Sequence, residues 1–534
     1  MGDTPDEINL ITLNCWGLKY VSKLRRERLA EIGRQIAIAS PRPHIVALQE
    51  CWTQEDYRAI RRQTRSVLPH GKFYHSAVLG GGLAILSRWP IEESSMHRYP
   101  LNGRPTAFWR GDWYVGKGVA CAKIRYGPGP GQVVEVFNTH THAPYEGGRP
   151  DDSYLCHRTA QSWEMAKLLR GAAERGHLVL AMGDFNMVPM SPEYQLITAL
   201  APVRDVWRVL HPDSSLGPAH HPAEKARRRP IPTAEFNILE NGATSDGPYN
   251  TWRWTKAQQK RLGPGKDPVT VPPDTPDPLG KRLDYIFASS GDALALGGTW
   301  KVKRASVGMM MRHPELGCSL SDHFAVEATL AFHPSPSPLP PPPPPPPPLS
   351  ESSSDDSISS SSESTPSATA RAGADHHLHH HQQQYHYHHP PSPSPSPFPS
   401  VSALPPAAYD AILSLVASYT ARERAQRAWR ARHFLAWLLA AAGCLVGEWF
   451  VPPGRGYVAF VLALVAALGL VAGTLDGLLA LLFFGSELKA LREFEWEVRN
   501  ARRRALLLDA RVDGGDDGGG GGGEGPDDAG EEEW

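Results

Sequence analysis

Cysteine is scarce in this chain: six in 534 residues, Cys15, Cys51, Cys121, Cys156, Cys318 and Cys444, with no CxxC pair and no metal-type spacing. That excludes a disulfide framework and a cysteine-ligated zinc module, and it fits a reducing compartment. Net charge is equally sparse. The 55 Lys+Arg stand against 56 Asp+Glu, a formal charge of -1, so no global field draws the chain to a polyanion such as DNA. The opening MGDTPDEINLITLNCW lacks a basic stretch followed by an apolar one, so no secretory signal peptide is expected. Gly2 is present, yet position 6 is Asp where an N-myristoylation signal carries Ser or Thr. Partner choice must therefore come from local features.

Residues 1–332 read as one large folded domain. Short apolar runs at 8–13, 45–48, 83–86, 133–137 and 178–182 predict strands, and the charged, Leu/Ala-containing segments 22–39 and 153–174 predict helices packed on a sheet. Residues 211–280, rich in Pro, His and basic side chains, read as an insertion or long surface loop. From 333 to 406 a polyproline run, a Ser-rich acidic run and a His/Gln/Tyr tract succeed one another; this composition cannot bury a core and reads as a disordered linker. Residues 513–534 are Gly-rich and acidic and read as a disordered tail.

Between linker and tail lie two apolar stretches, 434–451 and 457–485, joined by a short connection. About 20 apolar residues cross a bilayer core, so the segment 434–485 predicts a two-helix transmembrane hairpin. A basic juxtamembrane segment, 407–433, precedes it, and a basic helix, 486–512, follows. Arginine on both flanks puts both on the cytosolic side, with anionic phospholipids as partners of the basic segments. The expected location is an intracellular membrane, endoplasmic reticulum or mitochondrial, crossed more than once.

Six short signals recur in order along the first 332 residues: LNCWGL at 13–18, ALQECW at 47–52, NTH at 138–140, GDFN at 183–186, RLDYIF at 282–287 and SDH at 321–323. Together they resemble the superfamily that includes apurinic endonucleases, inositol polyphosphate 5-phosphatases and neutral sphingomyelinases. The resemblance implies an α+β fold: a four-layer α/β sandwich of two packed, mainly antiparallel sheets flanked by helices, with the catalytic site at the sheet edge.

It also implies roles. Glu50 is the main ligand of Mg²⁺, a hard cation that keeps several waters and takes one or two protein carboxylates; Asn14 and Asp322 complete its surroundings, and Mn²⁺ is a possible substitute. His323 deprotonates the attacking water, since an imidazole near neutral pKa suits that task, and Asp284 fixes its tautomer. His140 and Asn186 donate to the charge that develops on the phosphorus oxygens. Asp184 orients the water or a donor.

The segment GDWYVGKG at 111–118 nearly matches a phosphate-binding G-x-x-x-x-G-K-[ST] loop but ends in Gly118, where the metal-binding hydroxyl belongs. With Asp112 and Lys117 it resembles the signature of neutral sphingomyelinases and fungal inositol-phosphosphingolipid phospholipases C. The implied function is Mg-dependent cleavage of a membrane sphingolipid, sphingomyelin or inositol phosphosphingolipid, into ceramide and a phospho-headgroup, with Asp112 and Lys117 contacting substrate or switching the loop. No nucleic acid is expected as a partner. The alternatives are a nuclease or phosphoinositide phosphatase of the same superfamily, and a non-catalytic membrane scaffold.

Overall fold

The computed structural model describes residues 5–146, 152–267, 269–335 and 404–513. Most of the expected linker and the tail from 514 onward lie outside the described residues. Twelve strands follow in chain order: β1 (Glu7–Asn14), β2 (Ile45–Gln49), β3 (His70–Tyr74), β4 (Leu83–Ser87), β5 (Ile91–Arg98), β6 (Gly118–Arg125), β7 (Val133–His140), β8 (Leu178–Asp184), β9 (Arg204–Asp205), β10 (Asp284–Ala288), β11 (Gly298–Gly308) and β12 (Ala325–Pro334). They form two six-stranded sheets, ordered β11-β12-β1-β2-β4-β3 and β5-β6-β7-β8-β10-β9. Each sheet has one parallel pair, β1–β2 and β7–β8, among antiparallel neighbours.

Both faces of the central strands are covered, which is why they read as apolar runs without alternation. Ile8, Leu10, Ile45 and Ala47 of one sheet meet Val134, Val136, Leu180 and Met182 of the other between the sheets. Ile11, Leu13, Val46 and Leu48 face outward onto Leu29, Ile32 and Ile36 of α1 (Arg25–Ile38) and Ile60 of α2 (Gln54–Thr64). With the short α3 (Asp112–Val115) and the long α4 (Leu155–Glu174), this is the expected four-layer arrangement.

The stretch 211–280 is not a bare loop. It contains helices Pro222–Ala226, Ala234–Leu239 and Lys256–Gln259 and a 3-10 turn, Thr251–Arg253. Thr233, Asn250 and Thr255 cap three of these with side-chain oxygens. Elements of three to six residues are too short to show an apolar period, so composition alone hid them.

The transmembrane hairpin also needs correction. Helix Pro406–Glu448 stops before the predicted span does, leaving 434–447 between His433 and Glu448, less than the roughly 20 residues a span requires. Among the described residues only the continuous helix Gly456–Leu507 is long and apolar enough to cross a membrane, so one span-length helix replaces two. The two helices still pack closely. A Cβ on Gly469 would meet the Trp437 ring at 2.1 Å, and Gly473 faces the same tryptophan, the small-residue spacing that lets apolar helices approach. Asp476 is paired with Arg430 and His433.

Nor are these helices a separate anchor. Tyr409, Ile412, Val416 and Tyr419 of Pro406–Glu448, with Leu488, Leu491, Phe494 and Val498 of Phe484–Asp513, share one core with Trp163, Ala166 and Leu169 of α4.

Candidate active site

The topology gathers the chemistry at one edge. Parallel β1 and β2 end together at Asn14 and Gln49, with Glu50 next in the chain. Parallel β7 and β8 end together with His140 opposite Asp184, and antiparallel β10 begins with Asp284 opposite Asp184. His323 lies just before β12, which runs antiparallel to β1. Five strand ends and one strand approach thus deliver their polar side chains to one place. Glycine is required twice: a Cβ on Gly17 would lie 2.2 Å from the Glu50 carbonyl oxygen, and one on Gly183 2.0 Å from that of Thr139.

Asn14 Nδ2 donates to Glu50 Oε1 at 3.2 Å and to Asp184 Oδ2 at 3.0 Å, while its Oδ1 accepts from the Trp16 N–H at 3.0 Å. The expected metal ligand is here a bridge between two carboxylates. His323 Nδ1 lies 2.8 Å from Asp284 Oδ2, and the Thr244 hydroxyl donates to that same oxygen at 2.6 Å. The other ring nitrogen, Nε2, is 4.0 Å from Asp184 Oδ2, and His140 Nε2 is 3.5 Å from it. Asp322 accepts from Ser321 Oγ at 3.4 Å. Asn186 turns inward: its Nδ2 donates to the Thr141 carbonyl at 3.1 Å, and its N–H donates to Asp184 Oδ1 at 2.9 Å.

Lys117 reaches the same carbonyl from the other side, donating from Nζ to Thr141 O at 3.0 Å; its partner Asp112 is 3.8 Å away and also accepts from Tyr145 Oη at 2.9 Å. The loop that carries Asp112 and Lys117 therefore joins the site through one backbone oxygen.

Burial and crowding of like charge set the electrostatics. Burial, with Asp322 adding to it, pushes the Glu50 carboxyl up to about 7. Asp184 rises to about 6, first through burial and then through Asp284. Burial lowers His140 well below the ordinary range, and the cations Lys117 and His323 lower it further. Burial also opposes charge on His323, yet the carboxylates of Asp284 and Asp184 overcome it and raise this imidazole well above its usual value.

Glu50 Oε2 and Asp284 Oδ1 are buried without a hydrogen-bond partner. Unpaired buried carboxylate oxygens are costly unless a cation meets them. Asp184, Asp284 and His323 offer ligand atoms within 4.8 Å of one another. Asp284 is already engaged by His323 and Thr244, so the free oxygen of Glu50, with Asp322 beside it, fits a hard divalent ion better. The donor set suits such an ion.

Several contributors were not legible beforehand. Asn138 of NTH joins the sheets, donating to Leu48 O at 2.9 Å and Ala84 O at 3.0 Å and accepting from Gln49 Nε2 at 2.8 Å. Arg28, fully buried on α1, donates to Cys15 O, Trp16 O and Leu320 O at 3.2, 2.8 and 2.7 Å, fixing the LNCWGL and SDH segments together. Thr244 clamps Asp284 from within the presumed-loop stretch. The one available signal was a charged residue on the apolar side of a predicted helix.

Residues 11–323 match the Endonuclease/Exonuclease/phosphatase family, and the chain belongs to that family. It is 42% identical over 325 residues to an inositol phosphosphingolipids phospholipase C of Schizosaccharomyces pombe, covering 61% of this chain and 68% of that protein. Against the protein of the same name from Saccharomyces cerevisiae it is 31% identical over 514 residues, covering 92% of this chain and 90% of that protein, so the similarity continues through the C-terminal helices. Sphingomyelin phosphodiesterase 2 of Homo sapiens is 28% identical over 323 residues, 60% of this chain and 64% of that protein.

Proposed function

We propose that this protein is a membrane-associated phosphodiesterase that cleaves sphingolipids, sphingomyelin or inositol phosphosphingolipid, in the manner of a phospholipase C, releasing ceramide and a phospho-headgroup. The observation that carries this reading is His323, backed by Asp284 at 2.8 Å, at an edge with surplus carboxylate, in a family member whose similarity to a sphingolipid phospholipase C runs on through its apolar C-terminal helices.

The carboxylates of Asp284 and Asp184 favour the protonated ring of His323, so the reactive form is the neutral one, which countercharge on those carboxylates would favour; in it Nδ1–H donates to Asp284 and Nε2 accepts a proton from water. The water oxygen bonds to phosphorus, the bond from phosphorus to the ceramide oxygen breaks, and that oxygen takes up a proton as ceramide leaves. His140 lies within reach of the same space to donate to the phosphorus oxygens, and Asp184, held by Asn14 and by the Asn186 N–H, orients the water. Glu50 and Asp322 would hold Mg²⁺, which supplies countercharge to the carboxylates and the phosphate. Lys117, held at Thr141, lends further positive charge to this edge. The basic residues that follow the apolar part of the span-length helix favour an anionic leaflet.

The test is turnover by the purified full-length chain in mixed micelles with Mg²⁺, offering sphingomyelin, inositol phosphosphingolipid, an oligonucleotide and an inositol polyphosphate in parallel. Ceramide release from one of the first two is expected. Hydrolysis confined to the last two would assign the site to another activity of the family.

A further inference from the structure

Away from the catalytic edge, two neighbouring loops hold large apolar side chains out in water. Val78 and Leu79 are 76% and 59% exposed, and Phe108 and Trp109 70% and 71%. The loops are bound to each other. The N–H groups of Val78 and Leu79 both donate to the Tyr114 carbonyl, at 3.1 and 3.0 Å, and Ser76 Oγ donates to Gly116 O at 2.6 Å. A Cβ on Gly116 would lie 2.5 Å from Ala77 Cβ, so the glycine is what allows the approach.

The second loop is pinned at both ends. Arg104 lies 3.5 Å from Glu423 and 3.4 Å from the Tyr419 hydroxyl, both on helix Pro406–Glu448. Arg110 is paired with Glu146 and donates to Ser153 Oγ at 2.8 Å. Between the pins the turn closes with Ala107 N–H donating to Arg104 O and Arg110 N–H to Ala107 O, at 3.1 and 3.0 Å. Phe108 and Trp109 pack only edge to face, ring centres 5.2 Å apart. An apolar tip held rigidly away from the core calls for an apolar partner outside it.

The position of the loops identifies that partner. Trp113, four residues beyond Trp109, lies 6.3 Å from Phe483, ring centre to ring centre. Phe483 stands at the end of the apolar part of the span-length helix, just before Glu487 and Lys489. The level at which an apolar span gives way to charge is the membrane–water boundary, where aromatic side chains are favoured. We infer that Val78, Leu79, Phe108 and Trp109 form a wedge that enters the lipid bilayer beside this helix and holds the catalytic edge at a fixed height over the headgroups. The segment that bears the wedge ends in Lys117, whose Nζ bonds the same Thr141 oxygen as Asn186; a lipid phosphodiester thus meets the site without leaving the membrane. The wedge deepens the sphingolipid reading, and its enzymatic consequence rests on that reading.

The test uses the full chain reconstituted in phosphatidylcholine/phosphatidylserine vesicles, with the half-buried Cys121 and Cys444 replaced by serine. An environment-sensitive fluorophore is placed on Leu79→Cys, on Phe108→Cys and, as a reference, on Lys303→Cys, on an exposed part of β11. Blue-shifted emission and quenching by spin-labelled lipid at 79 and 108, with neither at 303, are expected; water-like emission at 79 and 108 overturns the wedge. The double variant Phe108→Ser/Trp109→Ser is then compared with the unaltered chain on vesicle-borne and on short-chain, monomerically dissolved sphingolipid. Loss of about 10-fold or more on vesicles with unchanged turnover of the dissolved substrate is expected, while an equal loss on both, or none on either, overturns it. If the unaltered chain releases no ceramide at all, the sphingolipid reading fails, and the fluorescence still decides the wedge.

Discussion

Two of the buried polar clusters among the described residues differ in charge balance. Where the C-terminal helices meet α4, Arg104 and Arg422 face Glu423 and Glu487, with the Tyr419 hydroxyl donating to Glu487 at 3.1 Å. Two cations answer two carboxylates, so the charge is balanced, although Glu423 Oε2 and Glu487 Oε2 are buried without a hydrogen-bond partner. At the candidate catalytic edge Glu50, Asp184, Asp284 and Asp322 outnumber the cations Lys117, His323 and Arg28, since burial keeps His140 neutral. Glu423 and Glu487 are as buried as Asp184 and Asp284, so burial of the carboxylate does not distinguish a structural cluster from a reactive one. Uncompensated charge does, because it is tolerated only where a ligand supplies the remainder.

The sharpest way to break that contrast is to neutralise the surplus. Glu50→Gln keeps the side chain's shape and is expected to lower turnover by on the order of 10³-fold or more. A Glu carboxyl raised to about 7 destabilises the fold when ionised, so in chelator the same variant should be the more stable, by about 1–2 kcal/mol above pH 7. Thermal melts with and without Mg²⁺, beside the rate, check both halves; a less stable Gln variant in chelator would show that Glu50 is structural.

His323→Ala is expected to lose about 10² to 10⁴ in rate with micelle binding retained, read as kcat against KM. Full binding loss with kcat intact would move the base elsewhere. For Asp112 and Lys117, 3.8 Å apart and both buried, each single alanine variant should slow turnover, and the double variant should be far less impaired than the product of the two. Independent losses in a double-mutant cycle would dissolve the pair.

The charge-balanced cluster should respond in stability rather than in rate. Arg104→Ala leaves Glu423, which has no exposed side-chain surface, with Arg422 as its remaining cation at 3.0 Å, and is expected to cost about 1–3 kcal/mol of stability while turnover of dissolved substrate in detergent stays close to normal. Denaturant melts set against that rate test it. The smallest effect lies outside both clusters. His44 is stacked on Trp89, and burial first, then Arg88, lowers its pKa to about 4. The unfolded chain takes up that proton first, so stability should fall as pH drops from about 6.5 towards 4, by about 1–2 kcal/mol after solvent screening. His44→Gln should flatten this part of a stability–pH curve.

The catalytic edge was largely legible in the sequence because each motif straddles a strand end: IVALQ stops one residue short of Glu50, and LVLAMGD ends on Asp184. Strand periodicity and a polar terminus are local properties. The pairing of Asp284 with His323 was likewise anticipated, and the two lie 2.8 Å apart. The bridging hydrogen bonds of Asn14 to Glu50 and Asp184 were not foreseen, because which atom an amide turns to its neighbours is decided by all of them together.

Sequence by itself determined strands β1, β2, β4, β7 and β8, the two principal helices, the order of the motifs and the presence of a long apolar helix near the C-terminus, since each depends on residues close together in the chain. Tertiary structure alone decided that Thr244 and Arg28 support the site, that the stretch 211–280 contains short capped helices, that among the described residues one helix rather than two has the length of a span, and that the C-terminal helices share a core with α4. Ile412, Val416 and Leu491 look like any amphipathic helix residues until the surface they cover is known. Pairing across hundreds of residues depends on shape and charge complementarity, which no local pattern encodes.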